Sequence, residues 1–144
     1  MENRKISFER KTKETDVSAQ LDLGSVDNHD SAFVKVTTGV PFFDHMLHAM
    51  GFHGRIGIEV RASGDLEVDA HHVVEDVGIV LGECLFRAMD QGGSLKRFGH
   101  AVIPMDDALA EVTVDAGGRA FCRFDAAFPQ DRVGDFDIWL LREF

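Results

Sequence analysis

Val17, Ala19, Leu21 and Leu23 alternate with Ser18, Gln20 and Asp22, the two-residue period of a half-buried strand that stops at Gly24-Ser25. Residues 4–10 mix apolar and basic side chains and predict a short strand before it. Asp27-Asn28-His29-Asp30-Ser31 is a polar turn, and Phe33 to Val36 reads as strand until Gly39. Pro41 then opens a helix, because its fixed φ suits a first turn. Phe42, Phe43, Met46, Leu47, Ala49 and Met50 recur at helical spacing up to Gly51. Ile56, Ile58 and Val60 alternate as a strand, Ser63-Gly64-Asp65 turns, and Leu66 and Val68 predict another short strand. Asp69 is a candidate N-cap for the strongest stripe in the chain: Val73, Val74, Val77, Val80, Leu81, Cys84, Leu85 and Ala88, ending before Gly92-Gly93.

Residues 97–103 read as extended, and Ala108, Ala110, Val112 and Val114 form an alternating strand. Gly117-Gly118 predicts a hairpin turn with a return strand from Arg119 to Phe124. Ile138, Leu140, Leu141 and Phe144 start an amphipathic helix with no cap after it, so the pattern is expected to continue past the last residue. Val40, Phe42, Phe43, Asp44, His45 and Met46 line up with Ile138, Leu140, Leu141, Arg142, Glu143 and Phe144. Val17, Ala19, Leu21, Leu23 and Gly24 line up with Ala110, Val112, Val114, Ala116 and Gly117. Matches in the same order suggest a duplicated ββ…α…β unit whose second copy lacks its back half. The division expected is a first half-domain over 1–92 and the start of a second over 93–144.

Composition narrows the function. With 144 residues and 44% hydrophobic side chains, the chain can bury one core of ordinary domain size. A formal charge of −10 argues against nucleic acid as a partner, and no stretch is long and apolar enough to span a bilayer. No signal peptide is read at the N-terminus. Cys84 and Cys122 have no metal-motif or redox-motif neighbours, so a cytoplasmic, reducing setting is expected.

Seven histidines occur, and five of them fall between His45 and His72. In Asp69-Ala70-His71-His72-Val73-Val74-Glu75, His71 and Glu75 stand four apart on a helix and share a face, so both can reach one metal ion. His72 points about 100° away around the axis and suits a second ion. The helix N-terminus favours anions and disfavours imidazolium, so the histidines are expected to stay neutral, as ligation requires. His45 and His48 can share a face of the earlier helix, and imidazole with carboxylate suits zinc, manganese, iron or nickel. Surface or core histidines are the ordinary alternative, and Glu75 alone is explained by the helix dipole. The clustering of motifs favours metal. Without a glycine-rich phosphate loop, a bound phosphate would need arginine or lysine forks. Read alone, Arg97, Arg119 and Glu14 are ordinary surface charges.

Longer motifs carry a resemblance. Arg10-x-Thr12-x-Glu14-Thr15, Gly39-Val40-Pro41-Phe42-Phe43-Asp44-His45-Met46-Leu47, His53-Gly54, Gly64-Asp65 and Asp69-x-His71-His72-x-x-Glu75-Asp76 occur in order. Arg97-Phe98-Gly99, Pro104-Met105-Asp106-Asp107-Ala108-Leu109 and Gly118-Arg119 follow. Together they resemble the imidazoleglycerol-phosphate dehydratases from about residue 4 to the end. The resemblance implies an α+β fold of duplicated half-domains, each a four-stranded sheet packed on helices (ribosomal protein S5 domain 2-like), with the second half incomplete here. It implies a cytoplasmic homo-oligomer of twenty-four subunits, with sites between subunits and two manganese ions per site. The implied reaction converts imidazole glycerol phosphate to imidazole acetol phosphate in L-histidine biosynthesis, through a metal-bound imidazolate and a diazafulvene-like intermediate.

Carried over residue by residue, His45, His71, His72, Glu75 and Glu143 match metal ligands, and Glu14 matches the acid/base carboxylate. Arg97 and Arg119 match phosphate-binding arginines, and His53 matches a substrate contact. A second His-His-x-x-Glu motif and a lysine-bearing segment would lie beyond residue 144. Since each metal needs ligands from that motif, the chain as written is expected to complete neither site. Two other readings stand beside this one. A metal-dependent hydrolase is suggested by His72-x-x-Glu75, although Asp76 stands where that pattern wants histidine. The other is a non-catalytic metal-binding oligomeric module.

Overall fold

A computed structural model describes residues 5–23, 33–90 and 96–144; the expected turn at 27–31 and the Gly92-Gly93 stop lie outside them. Strands β1 (Lys5–Lys11), β2 (Thr15–Asp22), β3 (Val34–Thr37) and β4 (Gly57–Gly64) form one sheet in the order β1-β2-β4-β3. β1 and β4 flank β2 antiparallel, and β3 lies parallel to β4. Helix α1 (Pro41–Gly54) joins those parallel neighbours, as a parallel pair requires.

The register sorts side chains by face. Ile6 and Phe8 pair with Leu21 and Ala19, which pair in turn with Ile58 and Val60. Residues directly opposite point the same way, so these make one apolar face, and Ser18, Gln20, Glu59 and Arg61 make the other polar. Helix α2 (His71–Asp90) covers the apolar face with Val73, Val74, Val77, Val80 and Cys84, all 0% exposed. Full burial of such side chains stabilises by about 1.5–3 kcal/mol each. The mixed architecture is the α+β class expected, with a four-stranded sheet packed on two helices.

Several boundaries differ from the sequence reading. Leu66 and Val68 lie in a turn, not a strand: Leu66 N–H donates to Gly64 C=O and Val68 N–H to Asp65 C=O, closing the chain back toward α2. α1 runs on past Gly51 to Gly54 and ends where Arg55 takes φ 54°, a left-handed cap whose neighbour Ile56 N–H bonds Gly51 C=O. β5 (Phe98–Met105) and β6 (Ala108–Asp115) form a separate hairpin whose turn is Asp106-Asp107, not Gly117-Gly118. Asp106 takes φ 52°, a conformation that Asp tolerates better than most residues. Arg119 to Phe124 forms no return strand.

The final stretch packs onto the first sheet unit. β7 (Arg132–Val133) and β8 (Phe136–Asp137) make a small ladder, and a 3₁₀ helix (Ile138–Arg142) follows in place of the expected α-helix start. Phe136 and Leu140 join the main core. Phe136 lies against Phe42 with ring centroids 5.2 Å apart and against Phe43 at 6.3 Å.

Candidate metal and proton-transfer site

The site is built where α2 begins. Asp69 Oδ1 accepts the backbone N–H of His71 at 2.8 Å, so the side chain read as an N-cap does cap the first turn. Gly64 lets β4 come close: a Cβ there would stand 2.6 Å from Val73 Cγ2 and 3.2 Å from the Glu14 carbonyl oxygen. Any larger residue would push apart α2, β4 and the turn that carries Glu14. At α1 the N-terminus is held differently. Asp44 Oδ1 accepts both the backbone N–H and the hydroxyl of buried Thr38, fixing the turn from which His45 projects.

His71 and His72 stack, with ring centroids 5.5 Å apart and planes 18° from parallel. His72 Nδ1 lies 3.0 and 3.1 Å from the two Asp65 oxygens. A carboxylate on one ring nitrogen fixes the tautomer and leaves the other nitrogen free to bind a metal. That hydrogen bond also raises the His72 pKa above the ordinary imidazole value. Desolvation opposes the rise, and the charges of Asp65, Glu14 and Asp69 add to it. The shift runs opposite to the one expected from the helix end. A directly bonded carboxylate outweighs a partial dipole charge.

His71 Nε2 faces Glu143 Oε2 at 3.6 Å. That separation is too long for a hydrogen bond. Two donors each bound at about 2.1 Å to one tetrahedral ion would stand roughly 3.4 Å apart. Trp139 meets His71 edge-on, with centroids 5.3 Å apart, and limits its rotation. Glu75 sits half-buried one turn along α2, and Glu14 lies exposed in the turn between β1 and β2, close enough for its charge to act on His72.

His45 and His53 are exposed on α1, and no hydrogen bond or ion pair among the described residues ties them to His71 or His72. Arg97 is held at the base of the β5–β6 hairpin by Asp115, through bonds of 2.7 and 3.2 Å, while Arg119 forms no ion pair among the described residues. Among those residues no three His, Cys, Asp or Glu side chains converge as a closed metal cage. The donors that do converge are imidazole and carboxylate, a set that fits a divalent transition ion. Sequence patterning assigns no site role to Asp65 or Trp139. The Gly64-Asp65 motif marked the first, and nothing in the pattern marked the second.

A profile of the family described as imidazoleglycerol-phosphate dehydratase matches residues 38–144, which include His45, His71, His72, Glu75 and Glu143. The imidazoleglycerol-phosphate dehydratase of Methanosphaerula palustris is 45% identical over 141 residues, covering 98% of this chain and 71% of that protein. The chain belongs to this family. A second imidazoleglycerol-phosphate dehydratase, from Pelotomaculum thermopropionicum, is 47% identical over 135 residues, 94% of this chain and 67% of that one. The crystal structure of the Staphylococcus aureus dehydratase superimposes with a TM-score of 0.79 at 32% identity, over 96% of this chain and 73% of that one. The Pyrococcus furiosus structure does so with a TM-score of 0.76 at 34% identity, over 94% and 69%. Membership places the chain among the hydro-lyases, as an imidazoleglycerol-phosphate dehydratase.

Proposed function

We propose that the chain dehydrates imidazole glycerol phosphate to imidazole acetol phosphate in L-histidine biosynthesis, with His71, His72, Glu75, Glu143 and His45 as its contribution to a pair of manganese sites. The observation that carries this reading is the pairing of His71 Nε2 with Glu143 Oε2, beside a His72 whose Nδ1 is held by Asp65. Manganese, when bound, supplies Lewis acidity that makes the substrate's azole ring easier to deprotonate.

The chain's own residues handle the rest. Dehydration breaks a C–O bond beside the ring and a C–H bond on the next carbon, and the resulting enol relaxes to the ketone. Glu14 takes the C–H proton, and in its protonated form it can deliver a proton to the departing hydroxyl. Its exposure lets it meet a substrate lying over the start of α2. Arg97 and Arg119 hold the phosphate, Arg97 by exchanging or sharing its bonds with Asp115, and His53 contacts the substrate.

Asp76 counts against the hydrolase reading. It stands where a protease pattern wants a ligating histidine, but it is 5% exposed and bound to Arg10. The homo-oligomer of twenty-four subunits is proposed from the family resemblance alone; the exposed apolar face of β5–β6, with Ile103, Met105 and Val112, is the one that helices of a second half-domain would bury. Cys84 and Cys122 are free thiols, which fits the cytoplasm.

The test is Glu14→Gln in the metal-loaded holoenzyme, followed by conversion of imidazole glycerol phosphate. Metal content and substrate affinity should persist while most turnover disappears. Turnover equal to the parent would remove Glu14 from the reaction.

A further inference from the structure

Glu14 is exposed at the tip of a short turn, yet a proton-transfer carboxylate must sit at one place. What holds the turn is a run of hydrogen bonds whose directions are fixed by chemistry. Arg10 Nε donates to Asp76 Oδ1 at 2.7 Å, so Asp76 is paired with a guanidinium and its oxygens accept. Thr15 therefore donates its hydroxyl proton to Asp76 Oδ2. With that proton committed, Thr15 Oγ1 accepts from the Thr12 hydroxyl at 3.1 Å. Thr12 Oγ1 in turn accepts the backbone N–H groups of Glu14 at 3.1 Å and of Thr15 at 3.0 Å. Thr12 N–H closes the turn on Thr15 C=O at 2.9 Å. Both hydroxyl protons are thus assigned, and the series runs from α2 to the backbone of Glu14.

Its anchor is telling. Asp76 directly follows Glu75 on α2, and both Asp76 and Thr15 are buried, at 5% and 4% exposure. Arg10 reaches Asp76 because it lies on the sheet face that α2 covers, opposite Val17. Gly64 leaves the room this close approach needs.

We infer that Asp76, Thr15 and Thr12 are positioning residues that lock the Glu14 turn to the histidine-bearing end of α2. They fix the distance between the carboxylate and the metal-binding side chains. The inference rests on the reading of Glu14 as the proton-transfer group. None of the three touches the reacting atoms; they act through the backbone of Glu14.

The experiment is a double-mutant cycle in the metal-loaded holoenzyme. Thr15→Val keeps the side-chain shape and removes the hydroxyl, and Thr15→Ser restores it. Thr15→Val should lower kcat about 10–100-fold, the cost of misplacing a reacting group by a fraction of its working distance, with KM and metal content unchanged. Thr15→Ser should recover most of that loss. In a Glu14→Gln background, Thr15→Val should cost nothing further, because the group it positions is already gone. An unchanged kcat in Thr15→Val, or an equal loss in both backgrounds, overturns the inference. Should Thr15→Val fail to fold, Thr12→Val, which touches only the turn, must show the same pattern. A Glu14→Gln enzyme as active as its parent would sink the underlying reading instead, so the two failures are told apart.

Discussion

Replacing Phe136 with alanine tests how the Glu143 end of the chain is held. Phe136 is 2% exposed and packs on the Phe42 and Phe43 rings of α1. Beyond it, the segment is held by the two-residue ladder of β7 and β8, by buried Ile138 and Leu140, and by Phe144, whose ring meets Phe43 edge-on at 5.5 Å and whose carbonyl lies against Gly78 of α2. Truncating a core Phe costs about 3–5 kcal/mol, a large share of the roughly 5–15 kcal/mol that stabilises a domain. The cavity would open directly before the 3₁₀ helix that presents Trp139 and Glu143. The chain has one tryptophan, so Trp139 fluorescence reports this segment while circular dichroism reports the whole. In reversible urea unfolding of the metal-free protein, the two signals of the parent should coincide. In Phe136→Ala the fluorescence transition should move to lower urea, ahead of or together with a weakened global transition. Metal affinity should fall as Glu143 loses its position. Phe121, which is 89% exposed, is the control, and Phe121→Ala should shift stability by no more than about 0.5 kcal/mol. If Phe136→Ala is as harmless as that control, the packing account of this segment is wrong.

Other outcomes follow from the same contacts. Asp65→Asn should lower the His72 pKa toward the ordinary value, read by NMR titration of the metal-free protein, and should weaken metal binding about 10–100-fold. Because the folded pKa of His72 is raised, its stabilising contribution is present below pH 6.5 and is lost as pH climbs through the raised value. A parent that gains stability over that window, or a pH profile unchanged in Asp65→Asn, would contradict the assignment. Arg97→Ala and Arg119→Ala should raise the Michaelis constant more than they lower kcat, with the larger effect for whichever arginine makes two bonds to phosphate. An unchanged Michaelis constant in both would remove them from the phosphate site.

Much of the fold is legible in the chain because its periodicities are unmixed. The alternation at Val17–Leu23 and the stripe from Val73 to Ala88 each match one period only, and each became the element it predicted. Turns were harder to place. Gly117-Gly118 carries a strong hairpin signal, yet the β5–β6 turn uses Asp106-Asp107, where an aspartate accepts a left-handed φ. Tertiary closure turned Leu66–Val68 into the reversal that brings Asp65 back to His72. The histidine pair was visible because its members are neighbours on one helix. The meeting of His71 with Glu143 was not, since it depends on Phe136 docking the chain's end onto α1, a contact between distant residues that no local period encodes. The Arg10-x-Thr12-x-Glu14-Thr15 motif was legible as a motif, but its bond to Asp76 appears only when β1 and α2 are stacked.

The most direct measurement is the rate of imidazole glycerol phosphate dehydration by holoenzyme stripped of metal with a chelator, then titrated with manganese. Stripped protein should lose nearly all turnover, manganese should restore it, and His71→Ala should block the restoration. Stripped protein that dehydrates its substrate at the untreated rate would contradict a metal-dependent reaction.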